Sequence, residues 1–187
     1  MVADAGLTEE LLSAALLVRQ HAGRINDLIH ATVILRALPL ILEPGERVLK
    51  RPSLAAGNDP GRKFDLETTH RIAEFKVAFW KGADTMRQRS LVADLVGLAL
   101  DTSGKRAELY VVGDKPIRYL RTCSTSVQHA LARSSPTLRA AFTAQYGEVA
   151  ISIRDFAAQI SGRVVVKDLR KVLPPLASMS EGGWDVG

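Results

Sequence analysis

The order of apolar patterns along these 187 residues predicts an α/β protein, a mixed central sheet flanked by helices with a helical C-terminal part. Three observations carry that reading. Residues Arg71–Phe79 alternate with period two yet are apolar on both faces, as an interior strand must be. A second strand-like run, Lys63–Glu67, precedes it across a short turn at Thr68–Arg71. A helical run from Asp84 to Leu100 then leads into a further strand, Arg106–Val112, rich in Leu, Tyr and Val.

The elements follow in order. Thr8 can cap a helix over Leu7–His21, with Glu9 and Glu10 in its first turn and Leu11, Leu12, Ala15 and Leu16 as an apolar stripe. Gly23 separates it from a second helix, Arg24 to about Leu38, which Pro39 ends. Pro44-Gly45 is a turn, Glu46–Arg51 a short strand, and Pro52–Gly61 a loop of Pro, Gly, Asn and Asp. In Arg71–Phe79, Ala73, Phe75, Val77 and Phe79 face one way, and Ile72, Glu74, Lys76 and Ala78 the other. Asp84 caps the next helix, whose core face is Leu91, Val92, Leu95, Leu98 and Ala99. Helices are expected over Ser126–Ala132, Thr137–Tyr146 and Ile153–Ile160, with a last short strand at Arg163–Val166. The whole reads as one domain over residues 1–173: an N-terminal helix (1–22), a core (24–113) and a helical part (114–173). The segment 174–187, with Pro174-Pro175 and Gly182-Gly183, is expected to be a flexible tail.

Composition narrows the function classes. A single cysteine, Cys123, excludes an internal disulfide and a cysteine-rich zinc site. Acidic Asp4, Glu9 and Glu10 occupy the place where a signal peptide would be basic, and the most apolar stretch, Leu28–Leu42, is broken by His30, Arg36 and Pro39. The expectation is a cytoplasmic chain with no membrane partner. The net charge of +5 is concentrated in residues 61–121, which carry 12 basic and 8 acidic side chains. That leans toward a polyanionic partner without requiring one. No Walker loop, dinucleotide fingerprint or Gly-x-Ser-x-Gly elbow is present.

The chemistry concentrates on Asp65, Glu74 and Lys76. If Glu67 pairs with Ile72 across the hairpin, Asp65 falls directly opposite Glu74, and like charges so placed repel. A buried pair of this kind is relieved by a divalent cation, by a shared proton, or by a salt bridge to Lys76. Two carboxylates without Cys or His suit a hard cation such as magnesium, or manganese in its place. The bland alternative is a structural salt bridge between Lys76 and one carboxylate.

Asp65 followed by Glu74-Phe75-Lys76, on adjoining strands with a helix before and a helix and strand after, resembles the PD-(D/E)XK nuclease superfamily. The likeness covers Arg24–Gly113, and Phe64–Gly113 looks like a bacterial branch of that superfamily. Phe64 replaces the proline that precedes the aspartate. The resemblance implies a restriction-endonuclease-like core and a magnesium-dependent endonuclease, a hydrolase of DNA phosphodiesters, in bacterial defence or DNA processing. By the same resemblance Asp65, Glu74 and the Phe75 carbonyl hold the metal, and Lys76 serves the attacking water. Gln88, in the first turn of its helix, joins the site in several branches; a core-edge glutamine is the alternative.

Other residues allow two readings each. Glu67 is a further ligand or a rim carboxylate. Asp27, one turn from His30, is an acidic ligand from the first helix or part of a solvated face. Lys81, Arg87 and Arg89, and more distantly Lys105, Arg106, Lys115, Arg118 and Arg121, are contacts to a phosphate backbone or ordinary surface charges. Trp80 stacks on a base or sits at the core edge. His21, His70 and His129 have no ligand spacing. The rival to a nuclease is a non-catalytic module on the same fold that binds nucleic acid or protein, as a homodimer or as a subunit of a larger assembly.

Overall fold

A computed structural model describes residues 8–50, 52, 62–80 and 84–177. Its order is α1 (Glu9–Ile41), β1 (Val48–Lys50), β2 (Leu66–Thr68), β3 (Arg71–Lys76), α2 (Thr85–Ala99), β4 (Arg106–Val111), α3 (Asp114–Thr122), α4 (Val127–Ala130), α5 (Pro136–Tyr146), α6 (Ile153–Gln159), β5 (Val164–Asp168) and α7 (Pro174–Ala177). The five strands form one sheet in sequence order. The β1–β2 and β2–β3 pairs are antiparallel, and the β3–β4 and β4–β5 pairs are parallel. The predicted α/β class, with a mixed sheet flanked by helices, holds.

β3 lies between β2 and β4 and is covered on both faces. On one side Ala73 and Phe75 meet Val33, Ile34 and Ala37 of α1, with Tyr110 and Leu66. Phe75 and Tyr110 are register partners across β3 and β4, and their rings stack with centroids 4.7 Å apart. On the other side Ile72, Leu109 and Val111 meet Leu91, Val92, Leu95 and Leu98 of α2, backed by the C-terminal helices.

Several boundaries differ from expectation. The two N-terminal helices are one: α1 runs through Gly23 and carries Pro39 inside its last turn. A lone glycine costs only about 1 kcal/mol in a helix, and Leu42 N–H still reaches the Leu38 carbonyl past Pro39. β3 stops at Lys76, so Val77–Phe79 are not strand. α3 was not anticipated; its N-cap is Gly113, whose φ of +84° only glycine adopts freely and whose N–H donates to Asp168. Part of the expected tail is structured, because Leu176 of α7 is buried against the α1 face. Residues 178–187 lie outside the described residues.

Arg71, at the start of β3, is 1% exposed. Its guanidinium takes both Glu46 oxygens at 2.6 Å and Glu108 at 2.9 Å, and Glu108 also accepts from Tyr110 and Lys167. This network ties the α1–β1 connection to β3, β4 and β5. Burial alone would raise the Glu46 carboxyl, but the Arg71 fork and the Thr68 hydroxyl outweigh it and bring it down to about 2. A depressed carboxyl stabilises the fold above its ordinary value of 4.5 and loses that contribution as pH falls toward 2. Glu46→Gln should therefore cost about 3 kcal/mol near neutral pH, measured by urea unfolding. The gap to wild type should narrow as pH falls from 5; a gap that stays constant to pH 3 would contradict the assignment.

Candidate active site

The β2–β3 hairpin has the anticipated register, Leu66 with Ala73 and Glu67 with Ile72. One step further places Asp65, the residue before β2, opposite Glu74 on β3. Phe75 N–H donates to Asp65 Oδ2 at 2.9 Å, fixing the carboxylate at the strand end. The other Asp65 oxygen lies 3.4 Å from His30 Nε2, on α1. The Asp65 and Glu74 carboxyl groups lie close enough for each to act on the other's protonation. Lys76, two residues along the same face of β3, forms an ion pair with Asp94 of α2. These five side chains line one cleft of about 960 Å³.

The electrostatics follow from crowding. Burial, then the negative charges of Asp94 and Asp65, push the Glu74 carboxyl up to about 10, so it keeps its proton at neutral pH. Burial would raise Asp65 as well, but His30, the Phe75 N–H and the proton of Glu74 together hold it below the usual range. Asp94 is raised by burial, against the pull of Lys76. Lys76 is raised because Asp94, Glu74 and Asp65 outweigh the cost of burying its ammonium. Of the three ways to relieve an opposed carboxylate pair, the surroundings favour protonation of Glu74, and Lys76 pairs with Asp94.

Asp65, Glu74, Phe75 and Lys76 thus come together, and Arg87 also lines the cleft, its guanidinium held by the Phe79 carbonyl and Asp84. Gln88 and Arg89 are not among the lining residues; the lining side of α2 runs through Arg87, Ser90, Leu91, Asp94 and Gly97. One residue's rotation, about 100° on a helix, separates Gln88 from that side. Lys81 lies outside the described residues. Glu67 is bound by Lys50 of β1 at 3.0 Å, which makes it a rim ion pair. Trp80 is buried at the core edge, packed edge-on against Tyr119, and also lines the cleft.

Asp94 and His30 are the side chains that sequence reasoning missed as site members. Asp94 is the only charge between Arg89 and Asp101, in the middle of the apolar run of α2. His30 shares the spacing of Val33, Ile34 and Ala37, the buried face of α1, whereas Asp27 is not among the cleft-lining residues. Both signals were present in the periodicity. The basic residues at the cleft are Arg62, Lys63, Lys76, Arg87 and Arg133, with Lys63 paired to Asp101 at 2.7 Å; Arg106 and Lys115 bind Glu43 and the Trp80 carbonyl.

A second group could hold a metal ion. Ligand atoms of Glu43, Glu46 and His70 lie within 4.8 Å of one another, at the opposite end of β3. There the Arg71 guanidinium already occupies both Glu46 oxygens. Among the described residues, no helix is long and apolar enough to cross a membrane.

Comparison with family models, curated proteins and solved structures finds no match to this chain.

A raised Glu74 carboxyl has a signed consequence for stability. Between its ordinary value of 4.5 and about 10, the unfolded chain releases a proton that the native state keeps, so metal-free stability falls as pH rises through that window. Glu74→Gln removes the penalty while preserving shape. At pH 8 without divalent ions the variant should melt at least about 3 °C above wild type, and the two should converge near pH 4. A variant that melts lower at pH 8 would contradict the protonated pair.

Proposed function

We propose that the protein is a metal-dependent nuclease that hydrolyses DNA phosphodiester bonds, on a restriction-endonuclease-like core of the PD-(D/E)XK kind. The observation that carries this reading is the convergence of Asp65, Glu74 and Lys76 on one cleft, with the carboxylates directly opposed and a lysine two residues beyond. The element order helix, three strands, helix, strand, with the fourth strand parallel to the third, supports the same core.

The donor set fits a hard divalent cation, magnesium or manganese. Asp65 and Glu74 offer carboxylate oxygens, and a cation that displaces the Glu74 proton removes the repulsion that keeps Glu74 protonated. The Phe75 carbonyl, on the residue between Glu74 and Lys76, is the further ligand this reading assigns. When bound, such an ion supplies Lewis acidity toward a phosphoryl oxygen and a water of lowered pKa.

The residues of the chain do the rest. Phe75 N–H and His30 orient Asp65, and each leaves the carboxylate charged. Lys76 keeps its ammonium beside the carboxylates, where it can offset the charge that builds on a scissile phosphate and orient the attacking water. Asp94 is a positioning residue, holding Lys76 on the cleft side of β3. Arg62, Lys63, Arg87 and Arg133 around the mouth supply contacts to a phosphate backbone that give affinity without sequence choice.

The test is incubation of purified protein with plasmid, linear and single-stranded DNA and with RNA, in magnesium or manganese against EDTA. Metal-dependent cleavage of DNA is expected, and no cleavage of any substrate would favour a non-catalytic module. Lys76→Met separates chemistry from folding. Alone it strands Asp94 in the interior without a cation and should lower the melting temperature. Combined with Asp94→Asn, it should restore folding and still leave cleavage at least about 100-fold below wild type, the scale of losing one charge-stabilising group. A folded, DNA-binding double variant that cuts at the wild-type rate would end the nuclease reading.

A further inference from the structure

Among the described side chains of residues 9–29 of α1, none is buried. The first buried residue on the helix, among the described side chains, is His30. Before it, Leu11, Leu12, Leu16, Leu17, Val18, Ile25, Leu28 and Ile29 are each 46–68% exposed. Ten of the fourteen large exposed apolar side chains among the described residues belong to this one helix. Residues 9–29 extend about 30 Å at the helical rise, and an apolar surface of that extent on one element marks an interaction site.

We propose that this segment pairs antiparallel with the same segment of a second copy, forming a two-fold symmetric dimer. The sequence spacing carries the argument. Leu11, Ala15, Val18, Ala22, Ile25 and Ile29 follow one another at intervals of 4, 3, 4, 3 and 4, the repeat of a coiled-coil seam, while Ser13, Gln20 and Asp27 recur every seventh residue on the opposite side. In an antiparallel pair whose facing positions sum to 40, all six seam positions meet another seam position: 11 with 29, 15 with 25, 18 with 22. Position 9 then meets 31, so the overlap ends where each copy's own core begins at His30. Such a pairing is self-complementary, as a two-fold interface must be.

Charge selects this arrangement over its competitors. Side-by-side parallel pairing would align the two helix dipoles and bring both acidic N-terminal turns, Glu9 and Glu10, to the same end. The antiparallel pairing opposes the dipoles and puts those turns at opposite ends. A helix lying on a membrane surface carries a strongly basic polar face; residues 9–29 hold two arginines, Arg19 and Arg24, against three acids, Glu9, Glu10 and Asp27. Six of the large exposed apolar side chains lie on or beside the seam: Leu11, Leu12, Val18, Ile25, Leu28 and Ile29. At roughly 60–120 Å² of apolar surface each when fully covered, they supply much of the ~800 Å² per partner of a stable interface.

The dimer has a consequence for the cleft. Asn26 and Ile29 line it, and position 29 faces position 11 of the second copy. The N-terminal turns of one copy therefore form an outer wall of the other copy's cleft. This inference is independent of what the cleft cuts.

Analytical ultracentrifugation of the full chain tests it. The wild type should sediment as a dimer of the 20.3-kDa chain at tens of micromolar. Val18→Glu and Ala22→Lys each alter an exposed position, and each should give a monomer whose near-ultraviolet signal from the core aromatics is unchanged. Because positions 18 and 22 face each other, an equimolar mixture of the two variants should regain a dimer. A wild type that stays monomeric throughout, or a dimer that survives Val18→Glu, would overturn the proposal. So would a mixture that remains monomeric, or a wild-type monomer that binds anionic lipid vesicles through α1.

Discussion

A strand buried on both faces must supply a partner for every charge it carries, and β3 carries three in six residues. Arg71 points to one face and is answered by Glu46 and Glu108. Glu74 and Lys76 point to the other, where Asp65, Asp94 and His30 gather around them. Removing one partner from such a set costs several kcal/mol, because the remaining charge is left in a poorly solvated site. The elements that flank β3 are therefore bound to it by electrostatics as well as by apolar packing. α1 supplies His30, the α1–β1 connection Glu46, α2 Asp94, and β4 Glu108.

The two charged groups do different work. The Arg71 cluster is closed: each guanidinium nitrogen that points to a carboxylate is matched, and Tyr110 and Lys167 complete Glu108. The Glu74 cluster is open to a cleft and holds an excess of carboxyl groups over cations, which is why one of them keeps a proton. A neutralised carboxylic acid beside a carboxylate, at the end of a rigid strand and next to a lysine, is poised to exchange its proton for a cation. That poise distinguishes it from a structural ion pair.

Much of this was legible in the sequence. Period-two alternation located β3 and showed it to be interior, and the pairing of Glu67 with Ile72 was enough to put Asp65 opposite Glu74. What escaped depended on distant contacts. That Lys76 would pair with Asp94 could not be read from its own strand, since the partner sits on a helix 18 residues away; only the oddity of a carboxylate inside an apolar helical run marked it. Gln88 was placed by the apolar face of α2, but the cleft opens beside the neighbouring side, one residue's rotation away. Gly23 and Pro39 misled for a local reason: both are poor helix residues, and both are tolerated within a helix of 33 residues. That no described side chain of residues 9–29 is buried was invisible until the fold showed where the core begins.

The account turns on the carboxyl pair exchanging a proton for a divalent ion. Titration calorimetry of manganese into the purified protein near neutral pH, in two buffers of different ionisation enthalpy, reads that exchange directly. The account predicts binding at one site with release of about one proton, lost in Asp65→Asn and intact in Glu43→Gln. Binding without proton release, or binding that survives Asp65→Asn and disappears in Glu43→Gln, would contradict it.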